Sequence, residues 1–373
     1  MNISPRFSAQ RDPITGVRVV QVTSGKAANH HLYPSGPTAT SDGRFVVHVS
    51  HESGAPNFCC SEIPTGELWR LTYRRDINPF SGALTRDDMA VLFSAGEGLW
   101  AVTLPDGTET LMASFAGSRV MDVGISPDGR FAVVTLRSGG LGRIVEVDLA
   151  SCGCRDILVR EGVAARARYS PLGDRILYAG GAGERVRVVN RDGTGDRLFY
   201  SQPAGEWVLN EAWLDSNTAI FVKFHDGLYE VGPPGGPRAL FKGPVWHAAA
   251  RGDGKLVVCD SSSPDIGLVL MSADGTRWRT LCYPRSTNRG FRWGDHLPTG
   301  DETMEASLLA GEAPVNDGKE SEYGPEWTHP HPSFSPEGTS IYFTSDVSGV
   351  SQVYLADIPA EWLGSMTGPA API

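Results

Sequence analysis

The sequence predicts an all-β protein built as a seven-bladed β-propeller, and three observations support this prediction. Short apolar segments of strand length alternate with turn signals such as Asp-Gly. A strand–turn–strand unit recurs along the chain, with clear copies at residues 41–47, 126–134, 252–258 and 335–341. No amphipathic helix of ordinary length is evident. Repeats with this spacing are typical of propeller blades.

The repeats also place the blades along the chain. Degenerate copies of the unit lie at residues 85–92, 170–176 and 215–220. The predicted blades span residues 37–73, 77–115, 120–160, 165–201, 208–242, 245–283 and 328–358. Because the last blade has only three strands, we expect an N-terminal strand at residues 17–23 to complete it and close the ring. Residues 1–373 then form one domain.

The composition limits the possible partners and compartment. A net charge of -10 disfavours a general polyanion-binding surface, so no nucleic-acid partner is expected. No apolar run is long enough to span a membrane, and residues 1–16 lack the apolar segment of a signal peptide. The six cysteines form no Cys-x-x-Cys pair. These features predict a soluble, reduced, cytoplasmic protein and leave its oligomeric state open.

The most informative stretch is Glu-Trp-Thr-His-Pro-His-Pro-Ser-Phe at residues 326–334. Read as a strand, it places His329 and His331 on one face, because strand side chains alternate. The two prolines lack backbone donors, which suits the innermost strand of a blade. Two neighbouring imidazoles with the upstream carboxylate of Glu326 form half of a metal site.

Propeller topology predicts which residues complete that site. The loops that lead into inner strands open on one face, around the central funnel. His247 starts the inner strand of blade six and should meet Glu326, His329 and His331 there. Imidazole combined with carboxylate suits Zn, Fe or Mn. The alternative is a set of hydrogen-bonded histidines that line a wet channel.

Further polar residues are predicted on the same face. They are His30, His31 and Tyr33 ahead of blade one, Arg185 in blade four, Asn210 in blade five, and His296 within residues 284–325. This last segment is long enough to form a lid over the funnel.

At these positions the sequence resembles a known family. Residues 329–334, together with Phe-Thr-Ser-Asp at 343–346 and Asn-His-His-Leu-Tyr at 29–33, are similar to the oligogalacturonate lyases of polysaccharide lyase family 22. The resemblance covers most of the chain and is strong around His30 and from His247 onward. It implies a seven-bladed propeller, a manganese-type metal, and cleavage of short pectic oligomers by β-elimination inside the cell.

The resemblance implies metal-binding roles for His247, His329 and His331. The family's fourth ligand, a Gln three residues before the first of the paired histidines, is Glu326 here. This change keeps an oxygen ligand and adds negative charge, which should tighten metal binding and alter metal preference. We therefore expect Mn²⁺, with Zn, Fe or Ca as alternatives.

Two further positions carry implied roles. Arg185 precedes Asn-Arg-Asp-Gly-Thr at 190–194 and matches a family arginine that holds the substrate carboxylate or assists proton removal; a rim ion pair is the alternative. The family's general base is the His of a His-Glu-x-Trp strand, whereas this chain has Asn210 in Asn-Glu-Ala-Trp. An amide is not basic, so either the base differs or the register is shifted.

Loss of the base should slow elimination roughly a hundred- to ten-thousand-fold. The cluster of His30, His31 and Tyr33 is the preferred replacement, because topology places it on the active face; sugar stacking by the same residues is the alternative. His296 and Arg185 are further candidates. Arg285 could bind a substrate carboxylate or lie in solvated surface.

The leading hypothesis is a metal-dependent lyase that acts on an acidic, uronate-containing oligosaccharide. Two alternatives remain open. One is a metal-dependent sugar hydrolase or isomerase on the same scaffold. The other is a non-catalytic binding propeller similar to TolB-type repeats, and the Ser-Pro-Asp-Gly turns are the only feature that supports it.

Overall fold

Seven antiparallel sheets form the blades of a β-propeller in the computed structural model of the chain. The structure describes residues 4, 7–32, 36–181, 183–224, 226–261, 264–288 and 328–367. In the first six blades, strands that are consecutive in sequence are also neighbours in the sheet. The predicted fold class is therefore confirmed.

The first three blades contain four strands each. Blade one has β3 (Asn29–His31), β4 (Phe45–Ser50), β5 (Asn57–Glu62) and β6 (Leu68–Arg70). Blade two has β7 (Ala83–Leu84), β8 (Ala90–Ala95), β9 (Gly98–Thr103) and β10 (Glu109–Ser114). Blade three has β11 (Arg119–Ile125), β12 (Phe131–Ser138), β13 (Leu141–Asp148) and β14 (Cys154–Glu161).

The next three blades repeat this plan. Blade four has β15 (Ala165–Tyr169), β16 (Arg175–Ala179), β17 (Val186–Asn190) and β18 (Arg197–Leu198). Blade five has β19 (Val208–Trp213), β20 (Ala219–Lys223), β21 (Gly227–Val231) and β22 (Arg238–Lys242). Blade six has β23 (Val245–Ala250), β24 (Leu256–Ser261), β25 (Leu268–Ser272) and β26 (Trp278–Cys282).

Blade seven joins the two ends of the chain. It contains β27 (Ser333–Phe334), β28 (Ser340–Ser345) and β29 (Gln352–Asp357), followed outward by β2 (Arg18–Gln21) and β1 (Ser8–Arg11). The predicted closure by the N-terminal strand is confirmed, since β2 pairs with β29. The sequence did not predict β1, which adds a fifth strand.

Apolar side chains seal the joint between the last blade and the first. Val20 of the closing strand lies opposite Leu355 and packs in one buried cluster with Val46 of blade one and Tyr342 of blade seven. Burying a side chain of this size stabilises the fold by about 1.5–3 kcal/mol relative to exposing it. Closure thus follows from hydrophobic packing as well as from backbone pairing.

The recurring turn has a simple physical basis. In blade three, the Ser126 hydroxyl donates to the Asp128 carboxylate and accepts from the backbone N–H of Phe131 at 3.0 Å. Gly129 has φ of 72°, a left-handed conformation that glycine adopts without strain. In the degenerate copy of blade two the equivalent left-handed residue is Asp88, with φ of 62°, and Asp is one of the residues that tolerate this region.

The segment ahead of β27 differs from the prediction. Residues 328–332 form no strand, so the alternation of strand side chains does not explain how His329 and His331 come together. His331 instead adopts φ of 44°, and the carbonyl of Pro330 accepts a hydrogen bond from the backbone N–H of Thr344 at 2.9 Å. Pro330 and Pro332 have no backbone N–H group to donate to a neighbouring strand. The segment therefore does not form a regular strand pair, and the chain bends there.

One short helix, α1 (Ala360–Thr367), follows the last strand. Its Met366 is buried with Trp362 and Leu363 against the apolar cluster between blades six and seven. It is too short for its periodicity to be recognised in the sequence. Within the described ranges, no helix has the length and apolar character needed to cross a membrane.

Candidate active site

Three histidines from the last two blades meet in the funnel. His247 lies on β23, and His329 and His331 lie just ahead of β27. One ring nitrogen of each side chain lies within 4.8 Å of the others, and all three residues are buried. The imidazole rings of His247 and His331 are closest, with centroids 3.4 Å apart. Residues that are more than eighty positions apart in the chain therefore converge on one point.

A buried carboxylate stands behind this cluster. Asp260 on the neighbouring strand β24 is only 1% exposed. Its Oδ2 accepts from Nδ1 of His247 at 2.8 Å and from the backbone N–H of His331 at 3.0 Å, while Oδ1 accepts from the backbone N–H of His247 at 2.7 Å. This hydrogen bond from Nδ1 fixes the tautomer of His247 and turns its Nε2 toward the cluster, as carboxylates that bond to metal-binding histidines commonly do.

Sequence reasoning missed Asp260, although the chain contains a signal for it. The residue ends the apolar run Leu-Val-Val-Cys at 256–259, where a strand buried on both faces would not normally carry a charge. A charged residue in such a run requires a buried partner. Here that partner is one of the predicted ligands.

The electrostatics keep the cluster neutral. Burial lowers the pKa of His331 well below its ordinary value, and the charges of His247, His329 and other neighbours lower it further. Burial also lowers the pKa of His329 and of His247, with Asp260 opposing the shift at His247. Neutral imidazole is the form that binds metal, so these residues are prepared as ligands at neutral pH.

His31 supports the cluster from blade one. Its Nε2 donates to the backbone carbonyl of His331 at 2.6 Å, and its Nδ1 lies 2.9 Å from the Thr344 hydroxyl. A carbonyl only accepts, so Nε2 carries the proton and Nδ1 accepts from Thr344. With both nitrogens engaged, the geometry favours a positioning role for His31 over the predicted role as a base.

His30 points away from His31, toward blade two. Its ring stacks on Phe80 with centroids 5.3 Å apart, and its Nδ1 lies 3.1 Å from the backbone carbonyl of His31. Burial lowers the pKa of His30 to about 3 and that of His31 to about 4. Adjacent strand residues face opposite sides, which explains why the two imidazoles have different neighbours.

Arg185 is locked in a buried ion pair. Its Nε donates to Oε2 of Glu211 at 3.0 Å, and the two side chains are 5% and 1% exposed. Such a pair is rigid, because separating it leaves an uncompensated buried charge. The structure therefore places Arg185 in the interior of blades four and five, next to the strand that carries Asn210.

Asn210 connects blade four to blade six. Its Nδ2 donates to the carbonyl of Trp246 at 2.7 Å, and its Oδ1 accepts from Nη1 of Arg166 at 3.4 Å. The residue lies at a register shift in β19 and has φ of 52°, a region that Asn tolerates better than most residues. Its amide holds neighbours in place and is not basic.

Arg166 is a second residue that sequence reasoning missed. It lies at a register shift in β15 with φ of 55°, and its backbone N–H donates to the Asp122 carboxylate at 2.9 Å. Because arginines are common in exposed strands, the sequence alone offers no signal that separates Arg166 from its neighbour Arg168.

The remaining predicted site residues are either exposed or outside the described part of the chain. Arg285 is exposed, with φ of 54°. Next to it, the Thr287 backbone N–H donates to Asp346 at 2.8 Å, which ties the start of the predicted lid to blade seven. Tyr33, His296 and Glu326 lie outside the described residues, as does the predicted lid from residue 289 onward.

The donor set fits a divalent metal. Three buried neutral imidazoles, one of them backed by a carboxylate, match the preferences of Zn, Fe or Mn. Trp246 packs edge-on against His329 with ring centroids 4.6 Å apart and shields one side of the cluster. Water exclusion of this kind strengthens electrostatic interactions within the site.

Comparisons with known proteins agree with this arrangement. No protein-family profile matches the chain. An oligogalacturonate lyase of Dickeya dadantii is 23% identical over 393 residues, which covers 96% of this chain and 97% of that protein. An oligogalacturonide lyase of Pectobacterium atrosepticum is 24% identical over 405 residues, covering 95% of this chain and 96% of that protein.

Solved structures show the same fold. An oligogalacturonate lyase in complex with manganese superimposes with a TM-score of 0.77 at 22% identity, covering 97% of this chain and 98% of that one. An oligogalacturonate lyase from Vibrio parahaemolyticus gives a TM-score of 0.77 at 19% identity with the same coverage. The chain is thus similar in sequence to oligogalacturonate lyases along its whole length, and it shares their fold.

Proposed function

We propose that the protein is a metal-dependent lyase that cleaves uronate-containing oligosaccharides by β-elimination. The observation that carries this proposal is the buried cluster of His247, His329 and His331, backed by Asp260 at the mouth of the propeller. Full-length similarity to oligogalacturonate lyases supports lyase activity and an acidic oligosaccharide as the substrate.

The proposed metal site consists of the three histidines, with Glu326 as the fourth ligand. Mn²⁺ is the proposed ion, supported by the manganese complex of a structurally similar lyase. A divalent cation bound there would neutralise the uronate carboxylate and make the proton on C5 more acidic. Asp260 holds the imidazole of His247 in position, and Asp260 and His31 both bond to the backbone of His331.

The reaction also needs proton transfer by the protein. Elimination breaks the C5–H and C4–O bonds and forms a C4–C5 double bond, so one proton must be accepted and one returned to the departing oxygen. Asn210 cannot accept it. The predicted candidates are His30, His31, Tyr33, His296 and Arg185. We propose that His31 holds the cluster in position and that Arg185 and its partner Glu211 form a rigid wall that orients the substrate. The proposed proton acceptor is then His30, Tyr33 or His296.

The proposal is tested by following the ultraviolet absorbance of the unsaturated product. Purified protein is incubated with di- and trigalacturonate, with chelator, and with chelator followed by excess Mn²⁺. We expect absorbance that the chelator abolishes and Mn²⁺ restores. If absorbance rises equally in chelator, or does not rise on any uronate oligomer tested, the proposed function is wrong.

One observation favours a second candidate function. The amide of Asn210 at the position of the family's base suits a reaction that needs no base there, such as hydrolysis or isomerisation by a metal-dependent sugar enzyme on the same scaffold. Product mass separates the two, because hydrolysis adds a water molecule to the products and elimination does not.

A further inference from the structure

The turn between β13 and β14 of blade three has a cysteine where the equivalent turns have a glycine. The hairpins β1–β2, β5–β6 and β9–β10 each contain a left-handed glycine whose backbone N–H donates to the carbonyl four residues earlier. These glycines are Gly16, Gly66 and Gly107, with φ of 73°, 71° and 73°. Cys152 takes the same position, with φ of 59° and a hydrogen bond of 2.8 Å to the carbonyl of Asp148. A residue with a β-carbon is strained in this conformation, so the cysteine is kept at an energetic cost.

Packing does not explain the cysteine. Cys152 is exposed, so its side chain fills no space in the core. The neighbouring Gly153 does not have a left-handed backbone, and a β-carbon there would meet only the hydroxyl of Ser151, at 3.3 Å. The turn therefore does not require a glycine at position 153, although a glycine there leaves the backbone free to bend.

A second exposed thiol lies two residues after the first. Cys154 begins β14, and its Sγ lies 3.7 Å from the backbone carbonyl oxygen of Cys152, so its side chain is turned back toward that residue. Burial raises the pKa of Cys154, and the charge of Cys152 raises it further, which indicates that the two sulfurs are close enough to interact. The Cys-Gly-Cys segment thus holds two thiols side by side at the surface.

The other four cysteines are in a different environment. Cys59, Cys60, Cys259 and Cys282 are all buried. Burial raises the pKa of Cys59 and of Cys60 to about 12, so almost none of these thiols is ionised at neutral pH. The thiolate is the form that attacks a disulfide, and buried structural cysteines are inert for this reason. Exposure therefore favours thiol chemistry at Cys152 and Cys154.

A metal ion suits this pair less well than a disulfide bond. Structural zinc sites, for example, need four ligands. In the part of the chain that the structure describes, three or more potential ligands of the His, Cys, Asp or Glu type come together only in the histidine cluster. The two thiols lack such a third ligand.

We propose that Cys152 and Cys154 form a redox-active dithiol, which a small disulfide such as glutathione disulfide converts to a disulfide bond within the turn. The thiolate of one cysteine attacks the small disulfide, forms a mixed disulfide and releases one small thiolate. The other cysteine then attacks the protein sulfur of the mixed disulfide and releases the second small thiolate. The two protons of the cysteines pass to the released thiolates, so the protein loses two electrons and the small disulfide gains them. The second attack is intramolecular, which favours the internal bond over the mixed disulfide.

This dithiol is separate from the histidine cluster. Successive strands of a blade run antiparallel, so the turn between the third and fourth strands lies at the end opposite to the loop that enters the inner strand. His329 and His331 lie in such an entering loop, ahead of β27. The proposed redox chemistry does not depend on lyase activity, and its test does not use that activity.

The test treats the reduced full-length protein with excess glutathione disulfide and then counts thiols in denaturant. We expect two of the six thiols to be lost and the mass of the protein to fall by two hydrogen atoms. Dithiothreitol should restore both values. Peptide mapping should place the loss in the peptide that contains Cys152 and Cys154. The buried neighbours Cys59 and Cys60 are the internal control and should stay reduced.

Two variants show whether the thiols act as a pair. Cys152→Ser and Cys154→Ser each keep one exposed thiol, so each should gain one glutathione as a mixed disulfide and should not lose two hydrogen atoms. A serine variant that still loses two hydrogen atoms would place the bond elsewhere and overturn the inference. The inference is also wrong if the unaltered protein keeps all six thiols, retains a mixed disulfide, or forms disulfide-linked dimers in place of the internal bond. The unfolding temperature of each variant shows whether its fold is intact.

Discussion

Three histidines of blade one, His30, His31 and His48, are as deeply buried as the three histidines of blades six and seven, but the two groups differ in what their ring nitrogens contact. Burial lowers the pKa values in both groups, so both are neutral at pH 7. In blades six and seven, one nitrogen from each of His247, His329 and His331 points to a common centre. In blade one, His30 faces Phe80, and His48 lies 3.2 Å from the Ser61 hydroxyl.

This difference shows why one of the two groups of histidines is the candidate metal site. The two regions have similar numbers of buried histidines. Among the described contacts, a carboxylate orients an imidazole and the backbone beside it in blades six and seven, where Asp260 bonds to His247 and His331. His31 belongs to blade one by position, yet it serves the other group by bonding to the carbonyl of His331. Convergence supported by fixed neighbours, rather than the presence of imidazoles, distinguishes a site from a packed interior.

The largest expected effect comes from removing a proposed ligand. His331→Ala should lose bound Mn²⁺, and its affinity for the ion should fall by more than about a hundred-fold. Substituting a residue that only supports a metal ligand already lowers metal affinity by up to about a hundred-fold. His30→Ala is the matched control, since it removes an equally buried imidazole outside the cluster. Metal content by elemental analysis checks the pair. Equal metal loss in both variants would remove the distinction between the two regions.

A smaller effect is expected behind the ligands. Asp260→Asn keeps the shape of the side chain but removes the charge that orients His247 and the backbone of His331. Mn²⁺ affinity should fall about ten- to a hundred-fold. Asp253→Asn, in the exposed turn of the same blade, is the control. Titration with Mn²⁺ measures both, and an unchanged affinity in Asp260→Asn contradicts the supporting role.

An imidazole at position 210, where the resemblance to the lyases implies a base, should separate the effects of metal binding from those of proton transfer. Asn210→His places a base at a position whose left-handed backbone histidine tolerates. Turnover of digalacturonate at saturating concentration should rise about tenfold, part of the range for general base catalysis. Metal content should not change. A turnover that stays the same or falls, with metal intact, places the base elsewhere in the funnel.

The smallest effect concerns stability in acid. Burial lowers the pKa of His48 to about 4, below its ordinary value of 6.5, so the unfolded chain takes up the proton first as pH falls. Stability from this residue is present above pH 6.5 and is lost as pH falls toward 4. In His48→Gln, the decrease in the free energy of unfolding between pH 7 and pH 5 should be smaller by on the order of 1 kcal/mol. Urea unfolding of the chelator-treated unaltered protein and of His48→Gln, each at pH 7 and pH 5, measures this loss of stability. An equal loss in the two proteins contradicts the prediction.

Much of the fold followed from the sequence, because its signals are local. Each turn of the type seen at residues 126–129 sets its own geometry through local hydrogen bonds, and the number of such turns predicted the number of blades. The strand that closes the ring was predictable because a three-stranded last blade needs a partner. The outermost strand β1 was not, since its residues are exposed and show no apolar pattern.

The site was predicted less completely, because it depends on contacts between distant residues. The meeting of His247 with His329 and His331 was predicted from topology, but the expected strand at 328–332 is absent. Asp260 and Thr344 support the cluster only through contacts with residues that are distant in the sequence or lie on another strand. Bulges that re-aim residues such as Arg166 and Asn210 leave no pattern in the sequence.

A crystal structure of the protein grown with Mn²⁺, with anomalous scattering recorded at the manganese edge, tests the central claim most directly. We predict one strong peak among the rings of His247, His329 and His331, with Nδ1 of His247 still bonded to Asp260. A map without a peak at that position, or with the three imidazoles turned toward separate partners as in blade one, would contradict it.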